Sequence, residues 1–301
     1  LAIHRKEIYG AKKNHGKPAG NEPSKEQLKF RKLLRKFIKN QTPIMDKYMV
    51  DDFAKTLGEN IMNALLKAKA GKKADAPNAM TPNQYSKALS GIGLELERAS
   101  KYGPVGANKA SAKIYENSIT WSGSLYDVDL SMNKPDVAVL NHFQKEYFPP
   151  TFKRLTVGET PYNYKNTIDK ILTKAVDNHW NWNKIIREME SFVNVKGKNF
   201  PRWMYQRIVT TEVSRYVIEG HIRGHIKMGF THFRRLVTED DVTNVDLCLP
   251  FNNYIYEAKY ASGVVPAHSS CRCDITPEPN NAKSLGLWNT FVTTVNLGAV
   301  A

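Results

Sequence analysis

Apolar residues recur at three- and four-residue intervals through most of this 301-residue chain, and that period commits it to helices more firmly than any other feature. Met49, Phe53, Leu57, Ile61, Met62, Leu65 and Leu66 form one stripe between 45 and 70. Tyr85, Leu89, Ile92, Leu94 and Leu96 form a second, opened by Thr81-Pro82, a capping residue before a first-turn proline. Past Thr160-Pro161 come Ile168, Ile171, Leu172, Ala175 and Val176, then Ile185, Ile186, Met189, Phe192 and Val193. A longer helix starting at Pro201 is expected to bury Met204, Ile208, Val209, Val213, Tyr216 and Val217, and Gly220, Gly224 and Gly229 to make its end irregular. Strand patterns are found at Phe230–Val237 and Tyr254–Tyr256, with one short strand also expected from the alternation at Tyr126–Leu130. The expected fold class is α+β: a mainly helical body, a small C-terminal mixed α/β unit and an extended basic N-terminal arm.

Charge divides the chain further. Residues 1–40 hold 12 Lys or Arg against 3 Asp or Glu, so +9 of the formal +15 sits in that arm. Residues 4–21 carry little apolar content and read as mobile. From Lys25 to Lys39, basic residues interleave with Leu28, Leu33, Leu34, Phe37 and Ile38, which predicts a basic amphipathic helix with Ser24 as its cap. Lys12, Lys13, Lys25, Lys29, Arg31, Lys32, Arg35, Lys36 and Lys39 are the candidate contacts to nucleic acid or to an acidic protein surface. The segments expected are a basic arm over 1–40, a helical region over 41–100 and an extended connector over 101–159 containing Gly103, Pro104, Gly106, Gly123 and Pro135. A C-terminal domain over 160–276 and a tail over 277–301 follow, the tail needing a neighbour or an edge-strand position to cover Leu285, Trp288 and Phe291. No run of eighteen apolar residues is present, so no transmembrane segment is expected, and the N-terminal residues lack the charged-then-apolar pattern of a secretory signal.

The three cysteines fall within 26 residues, as Cys248 and His268-Ser-Ser-Cys271-Arg-Cys273. Cys248, His268, Cys271 and Cys273 supply the four N or S donors of a tetrahedral zinc site. A disulfide from Cys248 to Cys271 or Cys273, and free buried thiols, are the competing readings. With Arg272 between them, Cys271 and Cys273 are expected to need a turn or bulge to reach one ion. His221 and His225 have the four-residue spacing of helical metal ligands, but Ile222 stands where a zinc protease needs Glu, so they read as surface or capping histidines. Asp240 and Asp241, with Asp246, read as an acidic turn that a divalent ion could use. Trp180 and Trp182 read as packing residues before stacking ones.

The order Arg207-Ile-Val-Thr-Thr211-Glu212-Val, then Asp240-Asp241, Cys248 and Pro266-Ala-His268-Ser-Ser-Cys271-Arg-Cys273 resembles the phage head-morphogenesis family, the Mu F-like minor head proteins. The resemblance spans about residues 160–276, and the closing Pro-x-His-x-x-Cys-Arg-Cys pattern carries it. It implies a minor capsid protein in the virion, at the portal vertex or capsid interior, present in the host cytoplasm during assembly. The implied partners are portal protein, major capsid protein and packaged double-stranded DNA, with which some members are ejected. Thr211, Glu212, Asp240, Asp241, Pro266 and Arg272 are then the motif residues, and Glu212 is expected to pair with Arg272. One position departs: Phe251 stands where the family often has a second cysteine, so His268 or water must complete any metal set.

No glycine loop of the kind that cradles phosphate is present, and no orienting third group or oxyanion site accompanies a Cys/His pair. The chain therefore reads as non-enzymatic, with zinc as its one candidate cofactor. A metal-dependent nuclease or hydrolase built on the Cys/His region and the acidic turn is the alternative, and a nucleic-acid-binding module with a structural metal is a third reading.

Overall fold

A computed structural model of the chain describes residues 16–69, 79–131, 141, 145, 149, 151–158, 163–194, 202–238, 248–266 and 271–296. Strand β1 (Lys17–Pro18) precedes helix α1 (Lys25–Asp46), which passes through a π-helical stretch, Lys47–Ala54, into α2 (Lys55–Lys69). Helices α3 (Pro82–Ser124), α4 (Tyr164–Asp177), α5 (Trp182–Val193) and α6 (Arg202–Met228) complete the helical body. The C-terminal part holds β2 (His232–Leu236), a 3-10 turn at Leu249–Phe251, β3 (Tyr254–Glu257), the short α7 (Ala258–Ala261), β4 (Asp274–Glu278) and α8 (Ala282–Asn296). The expected fold class is thus the observed one: a mainly helical body with a small C-terminal sheet unit.

Local sequence explains the helix starts. Ser24 and Gln27 cap α1 reciprocally: the Gln27 amide donates to Ser24 Oγ at 3.2 Å and the Ser24 amide to Gln27 Oε1 at 3.0 Å. Thr81 and Gln84 repeat the arrangement at α3, while Asn163 and Asn181 cap α4 and α5 through their side-chain oxygens. These side chains satisfy amides that have no partner inside a helix.

Contacts divide the chain into two units. The first comprises 45–110 and 136–206. Here Leu57, Ile61 and Leu65 of α2, Ile168 and Leu172 of α4, and Ile185 and Met189 of α5 are fully buried. Phe53 packs edge-on against Phe152 at 4.8 Å between ring centroids, and the Tyr205 hydroxyl donates to that of Tyr164 at 2.5 Å. Trp182 is buried in this unit, and Trp180 lies beneath the Lys184 ammonium. The expected connector from 101 is overturned, because α3 continues to Ser124 through Gly103, Pro104 and Gly106. Its glycines are contact points: a Cβ on Gly103 would stand 2.3 Å from the Phe152 ring, and one on Gly106 2.3 Å from the Tyr48 ring.

The second unit comprises 1–44, 111–135 and 207–301. Its sheet is antiparallel throughout, in the order β1-β3-β2-β4, with Arg235 opposite Ile275 and Leu236 opposite Asp274. The end of α3 crosses α6 closely. A Cβ on Gly220 would lie 2.6 Å from the Tyr115 carbonyl oxygen, one on Gly224 2.8 Å from Ser122 Cβ, and the Ser118 hydroxyl donates to the Val217 carbonyl at 2.6 Å. Gly220 and Gly224 therefore serve helix packing; they do not fray the helix.

The N-terminal residues belong to this unit. The mobile reading of 4–21 is revised for 16–21, since β1 pairs with β3 and Arg234 fixes Asn21: its Nη1 donates to the Asn21 carbonyl at 2.9 Å and its Nη2 to Asn21 Oδ1 at 3.1 Å. Helix α1 buries Phe30 and Leu34, and Phe30 meets Trp288 and Phe291 of α8. The segment at 285–292 is thus a helix packed on its own chain, where an edge strand or a neighbour was expected. Among the described residues no helix is long and apolar enough to cross a membrane.

Candidate metal centre

Cys248, Cys271 and Cys273 form no disulfide, are buried and lie close together, every Sγ within 4.8 Å of the others. Cys248 sits at the start of the 3-10 turn, where its carbonyl accepts from the Phe251 amide. Cys271 and Cys273 run directly into β4. The expected turn or bulge is not needed, because residues two apart in extended chain share a face. Both thiols point inward and Arg272 between them is exposed.

Tetrahedral zinc with sulfurs at about 2.3 Å sets those sulfurs about 3.8 Å apart, so this cluster needs only a small contraction to hold one ion. The electrostatics favour that contraction. Hydrogen bonds to Cys248 and Cys271 raise the Cys273 pKa far above a free thiol's, burial and repulsion from Cys271 add to this, and Arg235 opposes it. Without a cation Cys273 keeps its proton; a coordinated divalent ion would remove that penalty by neutralising the thiolate.

Arg235 is the site residue that the sequence reading missed. It is 2% exposed and lies over the Phe251 ring at 5.6 Å. Burial disfavours its charge, but attraction to Cys273, then to Tyr256, Cys248 and Cys271, outweighs this and lifts its pKa. Three thiolates and a divalent ion carry one net negative charge, and one guanidinium cancels it. The signal was present: Phe233-Arg234-Arg235-Leu236 puts two arginines in an otherwise apolar strand, and alternation sends them to opposite faces. Arg234 takes the other face, gripping Glu278 with two hydrogen bonds of 2.7 and 2.9 Å.

The remaining motif residues separate. His268, Asp240, Asp241, Lys12 and Lys13 lie outside the described residues. Pro266 follows Val265 across a cis peptide. Thr211 is buried, its hydroxyl donating to the Arg207 carbonyl at 2.6 Å. The expected Glu212–Arg272 pair is not formed. Glu212 instead accepts from Arg215 Nε at 3.1 Å, one helical turn along, with both side chains buried, while the Arg272 carbonyl accepts from Thr238 and Arg35. Arg31 and Arg35, expected as contacts to nucleic acid or an acidic protein surface, both place Nε on Asp274 Oδ2, at 2.7 and 2.8 Å. They join α1 to the first residue of β4. Lys25, Lys29, Lys32, Lys36 and Lys39 are exposed.

His221 and His225 are buried completely, against the expectation of surface positions. His225 Nδ1–H donates to the His221 carbonyl at 2.8 Å, and its Nε2 accepts from the Tyr126 hydroxyl at 3.0 Å. His221 Nε2–H donates to the Ile275 carbonyl at 3.1 Å. Their rings are 4.3 Å apart among Phe30, Trp121, Phe230 and Phe233. Desolvation holds both neutral, with the His225 pKa at about 3 and that of His221 well below its usual value.

The non-enzymatic reading is corrected by the cysteine geometry. Three buried thiols converging on one point form the kind of donor set found in catalytic or metal-dependent sites. No family model matches the chain, and no curated protein or solved structure resembles it closely enough to carry an argument.

Proposed function

We propose that this chain is a zinc-dependent module of hydrolase type, in which Cys248, Cys271 and Cys273 hold the ion and Arg235 neutralises the thiolate set. The convergence of the three buried Sγ atoms within 4.8 Å carries this reading. Zinc in a three-ligand set supplies Lewis acidity to an oxygen at its fourth position. The β4 lead-in presents two thiols to one side, the 3-10 turn brings the third, and Arg235 keeps the burial of negative charge tolerable. His268 decides the class of the site. As a fourth ligand it closes the tetrahedron and leaves a structural ion; away from it, the open position is the reactive one.

The test is metal analysis of purified protein together with hydrolysis of nucleic acid and ester substrates. One zinc per chain is expected, lost in Cys271→Ser and in Cys273→Ser. Hydrolysis that a chelator abolishes and His268→Ala preserves supports the hydrolase; zinc without hydrolysis, lost in His268→Ala, supports the structural ion. A protein that takes up no zinc when refolded in its presence refutes both.

A second proposal is the virion role implied by the resemblance to minor head proteins. It is favoured by the placement of Thr211, Glu212, Cys248, Cys271 and Cys273 in one unit of the chain. Copurification with portal or major capsid protein from assembled particles tests it, and absence from purified particles counts against it.

A further inference from the structure

Helix α1 has a face that the metal site does not use. Lys25, Lys29, Lys32, Lys36 and Lys39 follow one another at intervals of four, three, four and three residues, and all five are exposed. At about 100° per residue they stay within an arc of about 80°, and at about 1.5 Å rise per residue they extend along about 21 Å. Gln27, Phe30 and Leu34, the buried positions, lie on the opposite side. Arg31 and Arg35 occupy the flank between and are turned onto Asp274. The helix thus sorts its cations: the arginines build the fold and the lysines face solvent, with Glu26 the single acidic residue before Asp46.

We infer that this lysine face binds the phosphate backbone of double-stranded nucleic acid without sequence preference. A length of about 21 Å follows about six base pairs, and ammonium groups on flexible stems act as point charges on phosphate without reading base edges. No aromatic side chain lies on the face, so it offers no platform for stacking unpaired bases. A membrane surface fits less well, because an interfacial helix inserts its apolar side and α1 has committed Phe30 and Leu34 to the protein core. The helix is also tied to the sheet from its cap to Arg35, so its backbone needs no ordering on binding.

The experiment is fluorescence anisotropy of the full chain with a random-sequence 30-base-pair DNA across 50 to 200 mM salt. One variant carries Gln at Lys25, Lys29, Lys32, Lys36 and Lys39. A charge-matched control carries Gln at the exposed Lys67, Lys153, Lys165, Lys170 and Lys174. If all five lysines sit on phosphates, the slope of log affinity against log salt becomes shallower by about 4.5 in the face variant, while the control stays near the parent. The same five positions changed to Arg restore the slope. If the fivefold variant fails to fold, Lys29, Lys32 and Lys36 alone replaced by Gln lower the slope by about 2.7. Equal slopes in face variant and control overturn the inference. So does a parent chain that ignores DNA, or one that prefers anionic vesicles or an acidic peptide of equal charge.

Discussion

Acid should unfold the second unit through its buried imidazole pair. His221 and His225 are neutral in the folded chain because burial excludes their charged forms, whereas the unfolded chain gives both the ordinary value of 6.5. Between about pH 6.5 and the folded values, the unfolded state binds more protons, so stability falls as pH falls through that window; above about pH 7 both states are neutral and the contribution vanishes. At pH 5 each group lies about 1.5 units below its unfolded pKa, at about 1.4 kcal/mol per unit, so each costs about 2 kcal/mol and the pair about 4 kcal/mol. That is a large share of the roughly 5–15 kcal/mol of a typical domain. Urea midpoints measured at pH 7.5 and pH 5.0 give the loss, and the histidine-linked loss should halve in His225→Gln, whose amide can still meet the Tyr126 hydroxyl. Proton NMR supplies the site-specific check: of the chain's eight histidines, these two should show no titration at pH 5. If both imidazole signals instead move with midpoints near 6.5, or the loss between pH 7.5 and pH 5.0 is unchanged in the variant, the buried-neutral account fails.

Other perturbations address the packing directly. Gly220→Leu drives a side chain into the Tyr115 carbonyl and Ser118, and a loss of at least about 1–3 kcal/mol is expected in chemical denaturation. Glu212→Gln leaves the buried Arg215 guanidinium without its carboxylate and should cost about 3–5 kcal/mol, whereas Glu212→Leu combined with Arg215→Met should recover most of it. Phe30→Ala empties the ring position between His221, Trp288 and Phe291 and should cost about 3–5 kcal/mol, read as a lower thermal midpoint.

The helical body was legible because its stripes repeat for several turns and its starts carry reciprocal caps, Ser24 with Gln27 and Thr81 with Gln84. The connector reading failed at Gly103, Pro104 and Gly106 because glycine serves two purposes. In a loop it supplies backbone freedom; here it makes room for the Phe152 and Tyr48 rings. The same ambiguity hid the histidines, since Gly220 and Gly224 suggested a frayed surface end when they mark the crossing with α3. For the cysteines, sequence identified the three donors but not their common direction, which depends on the extended chain that carries Cys271 and Cys273 inward together. Partner choice was the least legible part. Glu212 had Arg215 one turn away and needed no distant cation, so motif proximity was a poorer guide than helical spacing.

Strand length explains why the cysteine cluster and the buried charges occur in the same unit. Its four strands have only two to five residues, too few for ladder hydrogen bonds and alternating apolar contacts alone to fix register. Each segment that must meet the sheet is therefore tied to it by a specific polar contact. Asn21 and Gln27 meet Arg234 and Glu278, and Arg31 and Arg35 meet Asp274. Cys248, 23 residues before Cys271, meets two more thiols and lies near the Arg235 guanidinium. An ion bound at that point would close a long loop, and its binding free energy would become folding free energy for the segment from Cys248 to Cys273. Arg235 lies buried beside the same cluster and beside Tyr256, with which it hydrogen-bonds; were three thiolates to hold a divalent ion there, its guanidinium would complete a neutral group.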